Sequence, residues 1–393
     1  MGTSPTVRPR LPLVGTDRYE WLADIALPSL NGMYQLPTQG GIIPSDRYIA
    51  KMRLEVEFRA TNPASAGPTS VLADAPYSFL ERIHIEGFHR LRQASEPFID
   101  IRGADLREWN LAWYSRAPFT QILDNGTAAT QIVITASHTN DVRFFVDLPF
   151  WPEQLSMRQK VGYLLDAPNY DRLVLSLFFG DSYSLFAGQT TAPTFTAYGS
   201  ASGTPRVRVG FVYAQFGKNV MEAVTKGFQP ARVWRYMPQS DLTSGDIVNG
   251  ATQSRLLNVP RGHQIRSIML KTGVKATTTS AGNNAYSTLS DAILSNIVVY
   301  RGTNKINKGK FQDFQCLKQD TAAVYSIQPD AGFAYLDWAK HGVLFEKLDA
   351  TGLVQGPTGD VDLYVAADVT AGAGQGLTAV IEELRGYPRL PLM

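Results

Sequence analysis

The chain has 393 residues, more than one average domain holds, so two or three domains are expected. Apolar residues make up 44% and charged residues only 18%, which excludes wholesale disorder and suggests a surface largely covered by something other than water. The formal net charge of +2 supplies no strong field for nucleic acid or a charged membrane, and the single cysteine, Cys316, excludes an internal disulfide framework and a cysteine-rich zinc module.

At the N-terminus, Pro5, Pro9 and Pro12 interrupt any continuous apolar run, so no export signal is read there. The longest apolar block, Leu173 to Phe179, is far below the ~20 residues that span a bilayer, and folding in a cytoplasm is expected. Arg8, Arg10 and Arg18 precede Tyr19, Trp21, Leu22 and Ile25, and Tyr19–Leu27 is predicted as a short helix. This basic, aromatic arm suits docking on a neighbouring subunit or at a lipid interface, against the plainer reading of a loose tail with one packed helix.

Strand patterns dominate the rest of the chain. Met52, Leu54, Val56 and Phe58 alternate with Lys51, Arg53, Glu55 and Glu57, so a period of two sends the first set to a core and the second to solvent or a partner. Further strands are predicted at Phe79–Ile85, Arg90–Ala94, Gln131–Ala136, Val142–Leu148, Leu173–Phe179 and Arg206–Phe216. Turn-rich stretches such as Thr61–Thr69 and Gly188–Gly203 separate them, and Asn125-Gly126-Thr127 reads as a turn. Helical signals are few. Met157, Val161, Leu164 and Leu165 follow helical spacing behind Pro152, and Asn219 with Glu222 resembles a capping pair ahead of Val224 and Gly227. Asp330 is placed as the cap of a helix carrying Phe333, Leu336 and Trp338.

The second half repeats the first. Leu54 and Val56 fall on Ile268 and Leu270, and Ile83 and Ile85 on Ile297 and Val299, both at an offset of 214. Trp113-Tyr114-Ser115 matches Val324-Tyr325-Ser326 at 211, and Phe144-Phe145 matches Leu344-Phe345 at 200. Leu173, Leu175 and Leu177 match Val361, Leu363 and Val365 at 188, and Val209 matches Ala379 loosely at 170. Offsets that fall steadily indicate a doubled domain with longer loops in the first copy. The expectation is all-β: two tandem eight-stranded jelly rolls with a few short helices. The predicted division is an N-terminal arm over 1–40, a first roll over 41–217, a helical linker over 218–240, a second roll over 241–386 and a tail over 387–393.

Catalytic constellations are not found. The histidines at 84, 89, 138, 263 and 341 are scattered, and His84, between Ile83 and Ile85, reads as an outward or interface residue of a strand. Asp100, Asp105 and Glu108 read as a solvated acidic loop or short helix, Cys316 as a buried structural thiol, and Gly372-Ala373-Gly374-Gln375-Gly376 as a turn between strands. No catalytic, cofactor or metal site is assigned, and no sequence-specific nucleic-acid contact is expected.

Two jelly rolls in one chain, with an arm and a linker, resemble the double jelly-roll major capsid proteins of tailless icosahedral viruses, the tectivirus and adenovirus hexon lineage. The resemblance spans Tyr48–Phe216 and His263–Gly386 and rests on architecture, since no short motif carries it. It implies a non-enzymatic homotrimer forming a pseudo-hexagonal capsomer within a virion shell assembled in a host cytoplasm. The implied partners are neighbouring capsomers, penton and minor capsid proteins, and in some members an internal lipid membrane. It also implies an inward-pointing arm, here Arg8, Arg10, Arg18, Tyr19, Trp21 and Leu22, and outward loops, here Ser115–Asp141 and Ser182–Pro205. Lys51, Arg53, Glu55 and Glu57 are the candidate subunit-interface face. The alternative is a non-viral tandem jelly-roll protein that binds glycans or removes them as an amidase; a cupin-type metalloenzyme would need clustered ligands that the scattered histidines do not supply.

Overall fold

The computed structural model describes residues 18–27, 30, 32–36, 48–90, 93–114, 117–150, 165–167, 170–214, 230–241, 254–258, 264–276, 286–320, 330–337, 354–355, 363–370, 372 and 374–386. The first half runs β1 (Arg18–Ala26), β2 (Gly32–Leu36), β3 (Tyr48–Thr61), β4 (Ser70–Val71), β5 (Leu80–His89), β6 (Ala94–Ile101), helix α1 (Gly103–Tyr114), β7 (Thr120–Asp124), β8 (Thr127–Ala129), β9 (Thr139–Pro149), β10 (Leu165–Asp166), β11 (Tyr170–Phe179), β12 (Phe186–Ala187), β13 (Thr194–Thr196) and β14 (Arg206–Ala214). The second half runs β15 (Pro230–Asp241), β16 (Ser254–Asn258), β17 (Gln264–Lys275), β18 (Tyr286–Leu289), β19 (Leu294–Arg301), β20 (Asn304–Gly309), helix α2 (Phe311–Asp320), β21 (Phe333–Asp337), β22 (Val354–Gln355), β23 (Leu363–Val369) and β24 (Gln375–Gly386).

Each half is a sandwich of antiparallel sheets, so the fold is all-β with two tandem jelly rolls. In the first roll the large sheet follows β1-β14-β3-β9-β7-β8, with β10 and β13 also pairing β3, and the small sheet follows β2-β11-β5-β6. In the second, β15-β24-β17-β18 forms the large sheet, with β21 and β22 also on β17, and β16-β23-β19-β20 the small one. Alternation builds the first core: Met52, Leu54, Val56 and Phe58 of β3 are fully buried beside Ile83 and Ile85 of β5 and Leu175 and Leu177 of β11. The Asn125-Gly126 pair turns β7 into β8 with φ of 47° and 83°, the left-handed conformations that a tight two-residue hairpin requires.

Strand pairing fixes the duplication residue by residue. Leu54 lies between Val146 and Val209, and Ile268 between Leu336 and Ile381. Glu57 lies between Arg143 and Arg206, and Lys271 between Phe333 and Thr378, in the same register. Ile85 pairs Leu175 and Val299 pairs Val365, so β11 matches β23 two residues away from the alignment read by spacing, and Val209 matches Ile381 rather than Ala379. A two-residue slip keeps every side chain on its face, which is why alternation alone did not detect it.

Several expected elements differ. Tyr19–Leu27 is not a helix: Arg18–Ala26 is an edge strand along β14, with a bulge between Trp21 and Ala23. The arm and first-roll bounds shift accordingly, because β1 and β2 both belong to first-roll sheets. Within the expected linker, Pro230–Asp241 is the corresponding edge strand along β24, so the second roll begins there. Phe333–Asp337 is also a strand, with Ala334 and Leu336 facing the second core; its predicted helix was a misread period. Where a strand is expected over Arg90–Ala94, Arg90 and Gln93 are turn residues and only Ala94 is strand, as the start of β6; Gln131–Ala136 is irregular, fastened where the Asn62 amide donates to the carbonyls of Val133 and Thr135 at 2.8 and 3.0 Å. The segments around Met157–Leu165, Asn219–Gly227, Val324–Ser326 and Leu344–Phe345 fall wholly or mostly outside the described residues, as do Arg8, Arg10 and Trp338.

Candidate assembly face and the joint between the rolls

The two rolls meet through the outer face of the second large sheet. Ile268, Leu270, Ala334, Leu336, Ala379 and Ile381 point into the second core, while Met269, Phe333, Tyr335 and Val380, on the opposite face, join the hydrophobic core of the first roll. Against that face the first roll sets α1 and the turn segment before β5, and β6 lies along β15. Asn110 holds α1 to the β9 backbone: its side chain donates to the Asp147 carbonyl at 2.6 Å and accepts from the Asp147 N–H at 2.8 Å.

A buried charged node lies within the joint. The Lys271 Nζ is 2.8 Å from Asp74 Oδ1 and 3.2 Å from Asp105 Oδ1, with the Tyr286 and Phe333 rings 5.0 and 5.4 Å away. Lys271 and Asp105 are each 1% exposed. Burial drives the ammonium down, but the two carboxylates outweigh it and Lys271 ends above its ordinary 10.5. Around the node, the Tyr286 N–H donates to Asp74 Oδ2 at 3.3 Å, the Ala73 N–H donates to the Tyr286 carbonyl, and the Tyr335 hydroxyl donates to the Glu108 carbonyl at 3.2 Å. Arg107 bridges Glu108 and Asp330. The acidic group Asp105 and Glu108 is therefore no solvated loop but helical and buried, because a second domain covers it; Asp100 pairs with Arg82 at 2.6 Å.

The outer face of the first large sheet carries the predicted interface residues Lys51, Arg53, Glu55 and Glu57 side by side, tied into a ladder across three strands. Arg53 grips Asp147 with two hydrogen bonds of 2.7 and 2.9 Å, and Lys51 lies 3.6 Å from the same carboxylate. Glu55 pairs with Arg143 and lies 3.5 Å from Arg208, while Arg143 also reaches Glu57 at 3.0 Å. Glu55 is fully buried, so its outward direction does not put it in solvent: two arginines cross over it. Burial, with the Glu55 charge beside it, raises the Glu57 carboxyl above its ordinary 4.5. Arg59 holds Asp141 at 2.7 and 2.8 Å. Phe145 sits between the Arg53 and Arg143 guanidiniums, 5.5 and 5.6 Å away, and packs on Phe119, which is 52% exposed. The ladder partners Arg143, Asp147 and Arg208 and the exposed Phe119 escaped sequence reasoning, since nothing local marks β9 and β14 as neighbours of β3.

Of the arm residues, Arg18, Tyr19, Trp21 and Leu22 lie in β1, bound as an edge strand to the first roll. His84 follows its reading: it alternates with buried Ile83 and Ile85 and lies 3.8 Å from Glu86 and Asp100. Of the glycine run, Gly374 is a turn residue and Gln375 and Gly376 open β24, with the Gly372 N–H donating to the Gln375 side chain at 2.7 Å. Among the described residues no group of three His, Cys, Asp or Glu could hold a metal, and no helix is long and apolar enough to cross a membrane.

No protein-family model matches the chain, and no curated protein matches it by sequence. Solved structures do match it. The major capsid protein of STIV, Sulfolobus turreted icosahedral virus, superposes with a TM-score of 0.59 at 12% identity, covering 95% of this chain and 99% of that one. The major capsid protein P2 of bacteriophage PM2 gives 0.51 at 12%, covering 95% and 99%, and VP54 of PBCV-1, fitted into a reconstruction of the virophage Sputnik, gives 0.52 at 13%, covering 95% and 94%. Identities this low speak to architecture, and the architecture agrees along nearly the whole of each chain. The chain thus has the double jelly-roll fold that these viral major capsid proteins share.

Proposed function

We propose that the chain is a major capsid protein, a structural subunit that forms a homotrimeric, pseudo-hexagonal block and tiles an icosahedral virus shell. The observation that carries this is the pair of rolls in matching register, joined by a buried interface, in a chain whose fold matches viral major capsid proteins over 95% of its length. Three such chains around a threefold axis present six similar wedges, a shape that closes into rings and packs into a shell. The role needs broad contact surfaces and no reaction chemistry, in keeping with the low charge content.

On this reading the partners are neighbouring blocks, penton and minor capsid proteins and, on the inner side, a lipid membrane that the basic residues Arg8 and Arg10 would face. The long excursions at Ser115–Asp141 and Ser182–Pro205 would make the outer protrusion, and assembly would take place in a host cytoplasm before the protein resides in the virion. The test is light scattering on the purified chain. A stable species near three times 43.2 kDa, seen in negative stain as a six-cornered ring, is expected. A monomer at every concentration overturns the proposal and returns the glycan-binding reading to the front.

A further inference from the structure

The node at Lys271 brings together the groups that an amide bond between two side chains requires. The Lys271 Nζ lies 2.8 Å from Asp74 Oδ1, so the Asp74 carboxyl carbon is one bond beyond the contact, and 3.2 Å from Asp105 Oδ1. All three side chains are buried, and the Tyr286 and Phe333 rings, 5.0 and 5.4 Å from the nitrogen, wall the site against water. The two remaining carboxylate oxygens are not alike. Asp74 Oδ2 accepts from the Tyr286 N–H at 3.3 Å, whereas Asp105 Oδ2 is buried with no hydrogen-bond partner among the described residues.

A purely structural ion pair leaves this arrangement unexplained. One ammonium needs one carboxylate, and a second that keeps an oxygen unpartnered is costly in a buried site. A reaction that needs an acceptor carbon and a separate proton carrier uses both.

We infer that Lys271 and Asp74 condense into an amide, an isopeptide bond that ties the second roll covalently to the first, with Asp105 as the proton carrier. The ion pair is the reactant, and the inference holds whether or not the chain builds a shell.

The step balances without a co-reactant. The ammonium passes one proton to Asp74 Oδ1, leaving a neutral amine beside a carboxylic acid. The nitrogen lone pair then forms a bond to the Asp74 carboxyl carbon, and the negative charge that gathers on Oδ2 faces the Tyr286 N–H. Asp105 takes a second proton from the nitrogen and hands it to Asp74 Oδ1, which leaves as water while Oδ2 returns to a carbonyl. Of the three ammonium hydrogens, one stays on the amide and two depart in the water, and Asp105 ends as the carboxylate it was.

The surroundings favour the product. Two charges that burial penalises become one neutral amide, whose N–H points at Asp105 and whose carbonyl keeps the Tyr286 N–H. Groups held in contact also react many powers of ten faster than the same groups free in solution. The rate is restrained from one side. Although burial works against its charge, Asp74 and Asp105 hold Lys271 protonated above its ordinary 10.5, so the free amine is the minor species. The bond therefore forms slowly after folding, and freshly folded chain retains the ion pair.

The test needs only the natural chain. Folded protein is left to stand, denatured at intervals, weighed intact by mass spectrometry and digested. A species lighter than the sequence by one water molecule is expected to accumulate, and to yield a branched peptide joining the segment of Asp74 to that of Lys271. A chain that keeps its full mass while still folded by circular dichroism overturns the inference. So does a lighter chain without the branched peptide, as ring closure at a single aspartate would give; a branch from Lys271 to Asp105 overturns the choice of acceptor. Asp105→Asn keeps the shape of the site and removes the proton carrier, and is expected to slow the accumulation about a hundredfold. An unchanged rate overturns the role given to Asp105, and the natural chain still decides between bond and ion pair where that variant does not fold.

Discussion

Lys271 illustrates how one residue can hold two domains in register. A buried ammonium between two carboxylates is a poor source of stability when compared with a well-packed apolar triad, but removing only the lysine leaves Asp74 and Asp105 buried without their cation. Lys271→Met is therefore expected to lower the unfolding free energy by about 3 kcal/mol in urea titration at neutral pH; a loss below about 1 kcal/mol would mean that water reaches the carboxylates. The pH dependence has a definite sign. Since the folded chain holds the Lys271 proton more tightly than the unfolded chain, the contribution is complete below 10.5 and fades as the pH climbs through the raised value. Nothing in the local sequence announced this residue: Lys271 sits in a strand whose neighbours Leu270 and Thr272 give no hint that a separate roll, far earlier in the chain, supplies its partners.

At the scale of elements, strands were readable where alternation was strong and both faces differed. β3 followed from spacing alone, and Asn125-Gly126 reads as a turn, though nothing in the sequence announced the short strands β7 and β8 that it joins into a hairpin. β1, β15 and β21 did not, because edge and inner strands with mixed patterns borrow their conformation from distant partners, and the period of Phe333 and Leu336 fits a helix as well as a strand. One signal was there to be found. Trp21 pairs with Gly210 and Trp234 with Glu382, equivalent positions on β14 and β24, so the two tryptophans, 213 residues apart, extend the repeat to its first strand. Within β5, Gly87 answers to close packing: a Cβ there would lie 2.5 Å from the Phe98 ring and 2.7 Å from Tyr170. Truncation separates the arm from the strand. Removing residues 1–17 should leave the melting temperature within a few degrees of the full chain, whereas removing 1–30 strips β1 from β14 and should lower it clearly; equal melting of both would mean that β1 adds nothing to the sheet.

For the whole molecule, the duplication was legible because core residues repeat in order, and the interface was not, because equivalent positions have diverged in chemistry. Glu55 and Met269 share one place in the pairing scheme, and only the covering of one face explains the difference. The asymmetry predicts unequal halves. Expressed alone, residues 1–217 should remain soluble, with the charged ladder outermost, while residues 230–393 would present Met269, Phe333, Tyr335 and Val380 to water and should aggregate. Comparison of the soluble fractions of the two pieces checks this, and a soluble, folded second half would show that its apolar face does not need a cover.

The order of the two rolls along the chain has a consequence for synthesis. A ribosome releases the strands of the first roll, β1 to β14, before β15 emerges, so the first sandwich can close while the second is still unmade. The oily sheet face belongs to the half that is born later, and its cover is already waiting when it arrives. The large sheet of the half born first shows solvent a face of mutually paired charges. Were the two rolls translated in the opposite order, each nascent chain would carry an uncovered greasy surface for the time needed to make a whole further roll, at the high local concentration of a polysome.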